Sequence, residues 1–116
     1  MGKKKRKRKR KEPQRTNEEL VALIQQGDDY YMGQLLEQNE AYIRWTMGKL
    51  RIRDPFNEDD YLQAGRIGLL HSISKYDPAK GTLFLTYATP WIRKELKKLR
   101  RKIIKFQREI PLTSFD

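Results

Sequence analysis

Residues 86–107 read TYATPWIRKELKKLRRKIIKFQ, and the periodicity of this stretch decides the fold. Ile92, Leu96, Leu99, Ile103 and Phe106 step by four, three, four and three, so on a helix they form one narrow apolar stripe, a packing seam. Tyr87, Trp91, Lys94, Lys98, Arg101 and Lys105 also step by threes and fours. At 3.6 residues per turn their stripe lies more than a third of a turn around from the seam. One face therefore packs inward, and the other presents two aromatics followed by a row of cations.

Working back towards the amino terminus, every other patterned segment is helical as well. Thr16 and Glu19 fit a capping box, with Leu20, Leu23 and Ile24 following at helical spacing. Gly27 suits the end of that helix, and Asp28 can cap the next, whose apolar stripe is Tyr31, Leu35 and Leu36. A third helix is expected over residues 40–52, with Ile43, Met47 and Leu50 inward and Pro55 beyond its end. Asn57 is the expected cap of a fourth helix, with Glu58, Asp59 and Asp60 placed for the helix dipole. Leu62, Leu69, Ile73 and Tyr76 share one face of it. Residues 77–81, DPAKG, are turn chemistry. The last helix is expected from about Thr86 to Gln107. No segment alternates with period two over a convincing length, so the fold class is all-α, a compact bundle of about five helices.

At 116 residues with 37% hydrophobic and 35% charged side chains, the chain supports one domain with a modest core. The absence of cysteine excludes disulfides and thiolate metal sites, and one histidine, His71, excludes a histidine-rich one. No cofactor and no metal are expected. No apolar run reaches the roughly 18–20 residues of a membrane span, so no membrane role is expected.

The net charge of +11 is unevenly spread. Residues 1–11 carry nine cations and no acid, residues 12–92 carry eight cations and twelve acids, and residues 93–116 carry nine cations and three acids. An acidic middle between cationic ends suits a polyanion: nucleic acid, anionic lipid or an acidic protein. Residues 1–15, with nothing apolar after Met1, are read as a disordered basic tail. It serves either as a flexible phosphate-binding arm, as a solubilising tail, or as an import signal by composition.

Rings followed by cations are what unpaired nucleic acid requires, a ring to stack on a base and cations to track phosphates. On periodicity alone, a core Tyr and Trp beside a solvated basic face weighs as much. No catalytic constellation competes. Ser72 adjoins His71, but neighbours at i,i+1 on a helix do not face each other. Gly65 and Gly68 fall inside a helix, each at a cost of about 1 kcal/mol. They mark a close approach there, either by a neighbouring helix of this chain or by a partner.

Three segments in order, residues 60–70 (DYLQAGRIGLL), 75–84 (KYDPAKGTLF) and 86–94 (TYATPWIRK), closely resemble region 2 of the bacterial sigma-70 family. The resemblance spans about residues 17–108. It implies a helical domain, of residues 16–108, that docks on core RNA polymerase and recognises the −10 promoter element as melted single-stranded DNA. By position, it implies polymerase contacts from Asp60, Leu62, Gln63, Gly65, Arg66, Gly68, Leu69 and Leu70. The rings for the non-template strand would be Phe84, Tyr87 and Trp91. Lys94 and Lys97 would meet the upstream end of the element, and Arg93, Lys98 and Arg101 its phosphates. Departures from the family pattern are Pro90 for the first residue of a common tryptophan pair, Thr82 for a frequent aromatic, Ala64 for Glu, Arg66 for a frequent polar residue, and Leu85 for a Ser that often caps the last helix, leaving Thr86 to cap.

Residues 109–116 resemble the linker that leads to region 4, the reader of the −35 element. A separate region-4-like protein and an anti-sigma factor are further partners the resemblance allows. Its setting is the bacterial cytoplasm, at the nucleoid. An initiation subunit is not an enzyme. Two other readings are a regulator that occupies the sigma site on polymerase without initiating, and a generic basic nucleic-acid binder. The three rings together favour initiation over a blocker, and the glycine-bearing helix favours either over the generic binder.

Overall fold

Among the described residues, helical order begins with the capping box at Thr16. The Thr16 hydroxyl accepts from the Glu19 N–H (3.1 Å), and the Glu19 carboxylate accepts from the Thr16 N–H (2.9 Å). Two donors that the first turn leaves without helical partners are thereby satisfied. The computed structural model describes residues 14–109; the expected tail up to residue 13 and the expected linker from residue 110 lie outside them. The chain runs through α1 (Asn17–Gln25), a 3-10 turn (Asp29–Tyr31), α2 (Met32–Gln38), α3 (Glu40–Lys49), a second 3-10 turn (Pro55–Asn57), α4 (Glu58–Ile73), a third (Pro78–Lys80) and α5 (Phe84–Glu109). Among the described residues there is no strand, and the architecture is the expected all-α bundle of five helices.

The helix ends follow local chemistry, with some differences from expectation. At the end of α1, Gly27 takes φ +103°. Its N–H reaches the Ile24 carbonyl, and the Asp28 N–H reaches that of Leu23. This is a Schellman closure, for which glycine is suited. Asp28 then caps the short turn after it, accepting from the Tyr30 N–H at 3.3 Å. The same closure ends α3 at Lys49, short of the expected residue 52. Arg51 sits at φ +61°, and the Ile52 N–H bonds the Met47 carbonyl at 2.9 Å. Asn57 does not cap α4 with its side chain. It donates instead to Asp54 (2.6 Å), and α4 grows out of the 3-10 turn with Glu58, Asp59 and Asp60 in its first turn.

The core is organised by the long contact of α4 with α5. Phe84, Ala88, Ile92 and Leu96 are fully buried along α5, against Leu69 of α4, Ile43 of α3, Leu35 of α2 and Leu20 of α1. A Cβ on Gly68 would lie 2.5 Å from the Trp91 carbonyl oxygen and 2.7 Å from the Ile92 Cα, and one on Gly65 would strike the Ile43 Cγ2. The two glycines inside α4 thus let α5 and α3 of this same chain approach. Tyr76 lies just past the end of α4 rather than on its face, yet it is buried in the same core.

α1 fixes the ends of two other helices. Glu18 accepts the Phe84 N–H at 2.7 Å, so α5 starts at Phe84, two residues before the expected Thr86. Gln25 donates to the Ile73 and Tyr76 carbonyls (2.7 and 2.9 Å) at the end of α4. Gln14 and Arg15, assigned above to the tail, are tied to the bundle. Gln14 donates to Gln38 (2.9 Å), the Arg15 carbonyl accepts from Gln38 (3.2 Å), and the Arg15 guanidinium lies 5.0 Å from the Tyr31 ring centre.

Candidate nucleic-acid interface

The aromatic end of α5 is a continuous run of rings passing from core to surface. Phe84, T-shaped against Tyr76 at 5.3 Å, is wholly buried. Tyr87 stands 5.8 Å from Tyr76 and 6.4 Å from Trp91, and both Tyr87 and Trp91 are partly exposed. The Lys94 Nζ lies 5.9 Å from the Trp91 ring centre, within cation–π range. The run is anchored at its inner end, where the Tyr76 hydroxyl donates to the Thr82 carbonyl. Burial, with the carboxylates of Glu18 and Asp77 nearby, pushes that phenol above the usual tyrosine range, so it stays a neutral donor.

Phe84 therefore cannot offer a ring face in this conformation, which corrects its placement with the surface rings. It fills the core because it opens the helix directly beneath Tyr76, on the same side as Ala88 and Ile92. Tyr87 and Trp91 flank the seam and keep solvent-facing edges. Beyond them the cation row is exposed as the wheel requires. Lys94, Lys98 and Arg101 are exposed, and Arg93 and Lys97 are partly so. Only Lys98 of these reaches a carboxylate among the described residues, Glu95 at 3.9 Å. The seam holds through Leu96 and loosens at Leu99 and Ile103. Phe106, expected inward, is 61% exposed because α5 runs on past the start of α4.

The residues carried over for polymerase docking do not form one face. Leu62 and Leu69 are core side chains, and Gly65 and Gly68 are covered by α3 and α5 of this chain, so these four are not available as contacts. Asp60 and Gln63 are exposed and line a groove of about 430 Å³ with His71, Lys98 and Lys102. Leu70 lies over a different hollow, with Ile24 and Met32. Arg66 is held by Glu40 of α3 at 3.0 Å. Glu40 also meets Arg44 (3.3 Å), which pairs with Glu58. The two guanidiniums, Arg66 foremost, hold the Glu40 carboxyl below its ordinary value.

Sequence reasoning passed over a second aromatic pair. On α3, Tyr42 and Trp45 stack at 5.6 Å with 24° between their planes, and Trp45 is 57% exposed. The Lys49 Nζ lies 5.3 Å from the Trp45 ring centre. The Tyr42 hydroxyl bonds the Thr89 Oγ1 of α5 at 2.6 Å, tying the pair to the helix that carries Tyr87 and Trp91. The signal was present: residues 42, 45 and 49 step by three and four on the face away from Ile43 and Met47. Phe56, 94% exposed in the turn before α4, was also missed.

Fold and surface together define an all-helical domain that presents rings and then cations along the outer face of one core-packed helix. The Sigma-70 region 2 family matches residues 35–103, and the chain belongs to it. It is similar to the RNA polymerase sigma-F factor of Kitasatospora aureofaciens, 36% identical over 69 residues that make up 60% of this chain and 23% of that protein. It is likewise similar to the sigma-F factors of Priestia megaterium and Bacillus subtilis (strain 168), 33% and 34% identical over 83 residues, 72% of this chain and 32% of each relative. The chain thus spans about a quarter to a third of the length of these relatives. No solved structure matches it.

Proposed function

We propose that this chain works as the region 2 part of a sigma-type transcription initiation subunit. It docks on core RNA polymerase and holds the unpaired non-template strand of a −10 element on α5. The observation that carries the reading is the partly exposed Tyr87–Trp91 pair with Lys94 over the indole, at the head of a basic helix in a region 2 domain. Each ring stacked on a base supplies ~1–3 kcal/mol, while opening a duplex costs about 1.4 kcal/mol per step. Two rings offset only a few steps, so the domain captures a strand opened by polymerase rather than melting DNA alone.

Docking falls to the exposed part of α4, Asp60 and Gln63, with Arg66 and Leu70 at its margins. The face between the helices bears cations that neutralise phosphate without reading bases. A region-4-like protein and an anti-sigma factor belong to this reading as partners, and its place of action is the bacterial cytoplasm. The test is run-off transcription with core polymerase on a duplex promoter and on one pre-melted at −10. The expected result is weak, salt-sensitive initiation from the duplex and more from the pre-melted template, rising when a region-4-like domain is supplied. Co-purification with core polymerase but no transcript from either template would instead favour a regulator that occupies the sigma site without initiating.

A further inference from the structure

We propose that Tyr42, Trp45 and Lys49 on α3 form a second stacking platform, which takes a further unpaired base of the same single strand that Tyr87 and Trp91 engage; this rests on the proposed reading of α5. Three features point to a nucleic-acid base as the occupant. The first is the ring itself. Trp45 is 57% exposed and lies 24° from parallel with Tyr42, so Tyr42 backs one of its faces and fixes its plane. The Lys49 ammonium, at the end of an exposed and flexible side chain, lies 5.3 Å from the ring centre. A base stacked on an indole is worth roughly five- to a hundred-fold in affinity. An exposed ammonium–ring contact is worth about two- to five-fold. A base can therefore displace Lys49 from the indole at a net gain, and the freed ammonium can turn to the adjoining phosphate.

The second feature is continuity with α5. The Tyr42 hydroxyl is bonded to Thr89, which lies between Tyr87 and Trp91 in sequence and on the opposite flank of that helix. A strand crossing the outer side of α5, about 10–12 Å across, meets both aromatic pairs. That span is about three stacked nucleotides at 3.4 Å each.

The third is charge. At 3.6 residues per turn, Arg93, Lys94 and Lys97 fall on the outer side between the two pairs. None of the three reaches a carboxylate among the described residues. The nearby acids Glu40 and Glu58 are already met by Arg44 and Arg66. The path is thus cationic along its length, which suits phosphates and disfavours a basic partner.

The test uses the whole chain and a twelve-nucleotide oligothymidylate as probe. Tyr87→Ala, Trp45→Ala and Trp45→Phe are compared by fluorescence anisotropy, with far-UV circular dichroism to confirm folding. Trp45→Ala is expected to weaken binding about five- to ten-fold, and Trp45→Phe, which keeps a ring, to stay within about three-fold of the parent. In a Trp91→Phe background Trp45 is the sole indole, and its emission should be quenched with the same midpoint as the anisotropy. If Tyr87→Ala weakens binding while Trp45→Ala does not and Trp45 emission is unchanged, the platform is wrong and the reading of α5 stands. If neither alanine variant weakens binding, stacking fails at both places. If Trp45→Ala loses core polymerase and keeps the oligonucleotide, the ring is a protein contact and the proposal is overturned.

Discussion

Replacing Gly68 with alanine adds one methyl group at the tightest point of the α4–α5 contact. That Cβ would stand 2.5 Å from the Trp91 carbonyl oxygen, 2.7 Å from the Ile92 Cα and 2.8 Å from the Trp91 carbonyl carbon, where ordinary contact is 3.4–4 Å. All three atoms are backbone and cannot rotate aside, so the helices must part by about 1 Å, as overpacked cores do, at ~1–3 kcal/mol. Alanine in a helix returns about 1 kcal/mol relative to glycine. The expected net effect is a loss of up to about 2 kcal/mol, or a fall in Tm of up to roughly 16 °C for a domain of this size. Gly48→Ala, with nothing within 4 Å of the new carbon, is the internal control and should gain ~0.5–1 kcal/mol. Thermal and urea unfolding followed by far-UV circular dichroism compare the three proteins. Gly68→Ala matching Gly48→Ala in stability would refute the close approach, and with it the account of how α4 sets the position of Trp91.

Other substitutions probe single devices of the fold. Arg51 holds a left-handed conformation at the end of α3, so Arg51→Gly should raise stability in urea unfolding by ~0.5–1 kcal/mol, the relief of strain outweighing the added freedom of the unfolded chain. Pro90 lies inside α5 and gives the Thr86 carbonyl no N–H partner; Pro90→Ala should stabilise by about 1–3 kcal/mol in the same assay. The carboxyl of Glu40 is held below its ordinary value of 4.5 by Arg66 and Arg44. Its contribution is therefore complete above that value and lost as the pH falls through the lower folded one. Glu40→Gln should accordingly lose less stability than the parent between pH 7 and pH 3, and melts at the two pH values check the difference.

What the sequence made legible was local or periodic. Thr16 and Glu19 announced their capping box because both partners lie within one turn. Gly27 ended α1 where its φ required glycine, and Ile92 and Leu96 packed where their spacing put them. What it hid depends on distant partners. Thr86 was expected to open α5, but Glu18, 66 residues away from Phe84, supplies the cap, and no local pattern marks that pairing. The same early start carries the Phe84 ring under Tyr76 and out of the surface group. Gly65 and Gly68 signalled a close approach, yet only the packed bundle distinguishes α3 and α5 from an outside partner. Arg51 gave no warning because a side chain in the left-handed region is chosen by the closure of α3, against its own preference. Tyr42 and Trp45 recur at helical spacing, but spacing alone does not show that two outward rings stack on each other.

Central to the account is the claim that α5 holds an unpaired strand through its rings. Fluorescence anisotropy of the whole chain with a labelled −10-type non-template strand, alone and as its duplex, tests it most directly. The account predicts tighter binding to the single strand, with a preference that Tyr87→Ala reduces by the equivalent of one stacking contact, ~1–3 kcal/mol, while raised salt weakens both forms. Equal affinity for strand and duplex, unchanged by Tyr87→Ala, would contradict it and leave phosphate neutralisation as the whole of the binding.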